Sequence, residues 1–206
     1  MRLLRAWRHL VLLALALGGT RPCWAQSGST AEPRVALIIG NADYDDSPLK
    51  NPTNDARLMA STLEGLGFSV LLRLDASQRE MKQAIEDFGS RLHRGGTAVF
   101  YFAGHGVQSG GRNYMIPVGA KIQGESFVDI ESVDVQRVLA TMEAANTDVN
   151  LVILDACRNN PFQQSTRSQN RGLAFISAPR GTLIAYATAP GSVAVDGTGN
   201  HGIYTA

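Results

Sequence analysis

Apolar residues fall along this chain in short runs and helical stripes, divided by glycines and polar turns. Val35-Ala36-Leu37-Ile38-Ile39 is a continuous run closed by Gly40-Asn41, the pattern of a strand buried on both faces and then a turn. Residues 55–66 predict a helix with Met59, Leu63 and Leu66 on one face and Gly67 as its stop. Residues 69–74 read as a second strand. Ser77 and Glu80 then form a capping box, and Met81, Ile85, Phe88 and Leu92 make one stripe that ends before Gly95-Gly96. Residues 97–103 predict a third strand, 112–117 a short accessory strand, 133–142 a helix, and 150–154 and 182–187 two further strands. Strands alternating with helices imply βαβ units, hence an α/β fold whose mostly parallel sheet is covered on both faces.

The polar segment 159–172, rich in Gln, Ser, Asn and Arg, reads as a long surface loop. The first 25 residues differ from the rest. Arg2, Arg5 and Arg8 precede the apolar run Leu10 to Leu17, and Cys23-Trp24-Ala25 offers a cleavage site. This is the pattern of a signal peptide, and the run is shorter than the ~20 residues a membrane-spanning helix needs. The expected organisation is a signal peptide over 1–25, a linker over 26–33 and one domain over 34–206 that continues past Ala206. The protein is expected to be exported, to the periplasm or beyond. Membrane contact is expected only through an uncleaved signal segment.

Charge adds little. The formal net charge is +1, and cleavage after Ala25 removes Arg2, Arg5, Arg8 and Arg21 but no acid. No basic field points to nucleic acid. The same cleavage removes Cys23 and leaves Cys157 as a lone thiol, which forms no internal disulfide. A lone thiol is a reactive group, an intermolecular partner or an inert buried side chain, and its surroundings decide.

Those surroundings are chemical. In parallel sheets functional groups gather beyond the carboxyl ends of the strands. One apolar strand runs into Ala103-Gly104-His105-Gly106, another into Asp155-Ala156-Cys157-Arg158. Adjacent strands lie ~4.8 Å apart, so neighbouring positions for these two would bring His105 within reach of Cys157. A thiolate that attacks and an imidazole that manages the proton suffice for acyl transfer. The backbone N–H groups of Gly106 and Cys157 are the expected oxyanion donors.

The motif Asp155-Ala156-Cys157-Arg158-Asn159, with His105 about 50 residues upstream, resembles the caspase pattern. Tyr101 to Gly106, Ala36 to Asn41, Leu49 to Pro52, Asn54-Asp55-Ala56 and Ala187 to Ser192 are similar to motifs of peptidase family C14, its bacterial metacaspase-like members above all. The resemblance implies a caspase-like fold, a three-layer α/β/α sandwich, and a cysteine endopeptidase acting on peptide or protein substrates. Asp155 stands where caspases carry Gln, as in metacaspases, which cleave after Arg or Lys. This implies a first specificity pocket holding Asp155 and Asp55; the alternative is that Asp55 caps its helix and Asp155 ties its own turn. It also implies self-cleavage after Arg167 or Arg171, against an intact solvated loop.

No cofactor is required on this reading. Calcium, which several metacaspases use, stays open at the acids Asp45, Asp46, Asp129 and Asp134, whose spacing matches no calcium loop. The scattered histidines and one thiol make no zinc site, so no metal ligand is assigned; His93 reads as a helix-end residue and His201 as a loop residue. The chain has no dinucleotide fingerprint, Walker motif or Gly-x-Ser-x-Gly elbow. Two other functions fit the same fold class: a caspase-like interaction module with little or no proteolysis, and a flavodoxin-like ligand-binding domain. The oligomeric state is not encoded in any pattern found here.

Overall fold

The computed structural model describes residues 32–157 and 173–187, position 157 by its backbone alone. The elements are β1 (Arg34–Gly40), α1 (Pro52–Gly65), β2 (Ser69–Leu74), α2 (Gln78–Arg91), β3 (Thr97–Ser109) and β4 (Arg112–Met115). A 3₁₀ turn (Glu125–Phe127) follows and leads into α3 (Val128–Glu131), β5 (Val133–Asp134), α4 (Val135–Ala145), β6 (Val149–Cys157) and β7 (Thr182–Tyr186). The expected signal peptide, most of the linker, His201 and the segment carrying Arg167 and Arg171 lie outside the described residues. No helix among the described residues is long and apolar enough to cross a membrane.

The seven-stranded sheet has a parallel part ordered β2-β1-β3-β6-β7, extended by antiparallel β4 and β5. Strand alternation decides the layers. Ala36, Ile38, Val99, Tyr101, Ala103 and Ile153 face one side and pack on Ala56, Ala60 and Leu63 of α1. Leu37, Phe100, Phe102, Val152 and Leu154 face the other and pack on Met81, Ile85 and Phe88 of α2 and on Val138 and Met142 of α4. Two apolar faces, each closed by helices, give the expected three-layer α/β/α sandwich.

Four details differ from the sequence pattern. Helix α1 begins at Pro52, because proline lacks only an N–H that a first turn leaves unbonded anyway. Asn51 is therefore the N-cap, and Asp55 lies inside the first turn instead of capping it. Residues Val133–Asp134 pair with β4, and Asp134 caps the following helix by accepting the Gln136 N–H at 2.8 Å. The piece from Glu125 to Glu131 is too short to carry a periodic signal.

The fourth difference matters most. Strand β3 runs to Ser109, not to Ala103, because it changes partners: β1 flanks its first half and β4 its second. Strand β6 likewise continues to Cys157. His105 and Cys157 are strand residues, held by the sheet and not by turns.

Candidate active site

The parallel β3–β6 ladder runs in register from Thr97 opposite Val149 to His105 opposite Cys157. The two positions are neighbours at the carboxyl rim of the sheet because every pair before them is in step. His105 is nearly buried, with 4% of its surface exposed. Its backbone N–H donates to the Tyr44 hydroxyl at 3.0 Å, and its carbonyl accepts the Ile116 N–H at 2.9 Å. Both groups point to the β1–β4 edge, so the backbone groups of the next residue, Gly106, point to the β6 edge. A Cβ at Gly106 would lie 2.8 Å from the Ala156 Cβ, so only glycine lets the two backbones approach this closely.

The imidazole is oriented by the loop between β1 and α1. His105 Nε2 lies 2.7 Å from the carbonyl oxygen of Ser47. A carbonyl can only accept, so Nε2 carries the hydrogen, and in the neutral ring Nδ1 is the proton-accepting nitrogen. Tyr44 closes the other side: its ring centroid is 4.4 Å from that of the imidazole, tilted by 51°. Its hydroxyl accepts from His105 N–H and donates to the Ile116 carbonyl at 3.0 Å. A Cβ at Gly104 would sit 2.6 Å from that hydroxyl, which makes the glycine before His105 a packing requirement. The loop itself is tied down by Asp75, whose carboxylate accepts the backbone N–H groups of Ala42 and Asp43 at 2.8 and 3.0 Å.

Asp155 is half-buried on β6, in register with Ala103, and accepts a hydrogen bond from the Tyr101 hydroxyl at 3.2 Å. Asp55 is only 2% exposed and sits beside Ala56, which packs in the cluster containing Tyr101 and Ala103. The structure thus brings Asp55 and Asp155 to the α1 side of the sheet. Of the acids considered for calcium, Asp134 caps α4 and pairs with Arg112, while Asp45 and Asp46 border a pocket beside His105. Among the described residues no group of three or more His, Cys, Asp or Glu side chains could hold a metal ion.

Tyr44 and Ser47 are the site residues that sequence reasoning missed. Ser47 acts through its main chain, which no residue type announces. Tyr44 left one usable signal, an aromatic residue in a polar loop directly after a strand end.

Comparison with known proteins agrees with the fold. The Caspase domain family of peptidase family C14 matches residues 33–206. The human mucosa-associated lymphoid tissue lymphoma translocation protein 1 is 31% identical over 167 residues, 81% of this chain and 20% of that protein. Pig caspase-1 is 28% identical over 137 residues, 64% of this chain and 32% of that protein. The chain thus spans a fifth to a third of the length of these relatives. A crystal structure of a Geobacter sulfurreducens protein shares the fold with a TM-score of 0.60 at 17% identity, covering 84% of this chain and 79% of that one.

Proposed function

Because the chain belongs to the caspase-domain family, we propose that it is a cysteine endopeptidase with Cys157 as nucleophile and His105 as its base and then its acid. The observation that carries the reading is the register of His105 with Cys157, joined to the Ser47 carbonyl on His105 Nε2. With Nε2 committed to that carbonyl, Nδ1 takes the thiol proton. The thiolate sulfur then bonds to the carbonyl carbon of the scissile peptide. The C–N bond breaks, the imidazolium returns its proton to the leaving amine, and a thioester remains. Water, deprotonated by His105, hydrolyses the thioester and restores the thiol. The N–H of Gly106, on the β6 edge, and that of Cys157 stabilise the oxyanion.

Asp155 and Asp55 supply the first specificity pocket, and cleavage follows Arg or Lys. Two carboxylates in a partly desolvated pocket match a guanidinium and repel an aspartate. The test is hydrolysis of fluorogenic peptides ending in Arg or Asp by wild type, Cys157→Ala and Asp155→Asn. The expected result is preference for Arg, loss of about 10³-fold or more in Cys157→Ala, and about 10- to 100-fold weaker Arg cleavage in Asp155→Asn. Faster turnover of the Asp peptide would sink the specificity. Equal rates for wild type and Cys157→Ala would sink the mechanism.

A further inference from the structure

Beside His105 lies an open pocket lined, among the described residues, by Tyr44, Asp45, Asp46 and Ser47 and by Ile116, Gly119 and Ala120. None of these lining segments belongs to β6 or precedes it directly. They come from the loop after β1 and the segment after β4, and both strands flank β3 on the edge opposite β6. The pocket is therefore on the far side of the imidazole from the nucleophile's strand. Chemistry fixes what passes there. The imidazole must reach the sulfur first and the leaving nitrogen second, so the leaving half of the substrate departs over the ring, away from β6.

Asp45 and Asp46 are exposed, and neither makes a hydrogen bond or ion pair among the described residues. Asp75, by contrast, is committed to the backbone of Ala42 and Asp43. The pocket thus combines apolar walls at Tyr44 and Ile116, a buried imidazole and two uncommitted carboxylates. That combination suits a long aliphatic stem with a cationic end.

We propose that this pocket receives the residue immediately after the scissile bond and that Asp45 and Asp46 make it favour Lys or Arg. The proposal rests on the endopeptidase reading and adds a second basic position to it, on the leaving side of the cut. Exposed carboxylates act through a screened field, so the preference is modest and sensitive to salt.

The test uses internally quenched peptides identical except for Lys, Ala or Glu after the cleaved Arg. The readout is the ratio of kcat/KM for the Lys peptide to that for the Glu peptide, in wild type and in Asp45→Asn/Asp46→Asn. A ratio of about threefold to tenfold is expected in wild type at low salt, falling towards one at high salt and in the double variant. A wild-type ratio of one, or a ratio that survives the double substitution, overturns the proposal. A coumarin amide of Arg, which has no residue after the cut, separates the two readings. If wild type hydrolyses it yet ignores the following residue, this inference alone fails. If wild type and Cys157→Ala are equally inert on every substrate, the peptidase reading fails and takes this inference with it.

Discussion

Tyr44 joins three parts of the site through one side chain. Its ring packs on the imidazole, and its hydroxyl bridges the His105 N–H and the Ile116 carbonyl. Removing the hydroxyl in Tyr44→Phe keeps the ring and takes one partner from a buried N–H, a cost of about 1–3 kcal/mol in stability. Catalysis should suffer too, because a base displaced by about 1 Å can lose as much as 10²-fold. The expected outcome is a fall of about 10- to 100-fold in kcat/KM on an Arg peptide, with the preference for Arg over Asp retained. Thermal unfolding and steady-state kinetics on the same preparation check both halves. At this scale the sequence was half legible. His105 and Cys157 stood out because each follows an apolar run that ends at the rim. Tyr44 and Ser47 did not, since their roles depend on a loop folding back over a residue far along the chain.

Helix α2 shows how a local signal survives intact into the structure. Ser77 and Glu80 form the reciprocal capping box that their spacing implied: the Ser77 N–H donates to the Glu80 carboxylate at 2.8 Å and its hydroxyl does so at 2.7 Å. These bonds, the side-chain one first, hold the Glu80 carboxyl below its ordinary value of 4.5. A lowered carboxyl favours the folded state while it is ionised. Its contribution is complete above the ordinary value and fades as pH falls through the lowered one. Glu80→Gln should therefore unfold more easily than wild type at pH 7, with the gap narrowing as pH falls below the ordinary carboxyl value, as denaturant titrations across that range would show. Ser77→Ala should cost about 1 kcal/mol in the same assay. Strand ends were less legible than helix starts. The apolar pattern of β3 changes at Gly104, yet the strand continues to Ser109 because β4 takes over the pairing. A partner's identity is not written in the strand that uses it.

Across the whole molecule, sheet order governs what a cut in the chain would do. The alternation of runs and stripes made the three layers legible, since each apolar face needed a helical cover. Arg167 and Arg171 lie between β6 and β7, so self-cleavage there would separate the two strands covalently. They pair in parallel from Asn150 opposite Thr182 to Leu154 opposite Tyr186, and Leu173 and Ile176 are buried in the same core. Asn113 adds a side-chain clasp, bonded to both the N–H and the carbonyl of Ala174 at 2.6 and 2.8 Å. Cleaved protein should therefore run as two bands under denaturing conditions and elute as one particle under native ones, with no cleavage in Cys157→Ala. Fragments that part on a native column would contradict it. The contact between His105 and the main chain at Ser47 carries a different consequence. Alanine scanning would report position 47 as dispensable, because the substituted residue still offers the same oxygen. Deleting one residue from the stretch between Tyr44 and Pro48 would carry that oxygen away and disarm the imidazole. Tolerance to indels, more than tolerance to substitution, is where the importance of this loop would be recorded.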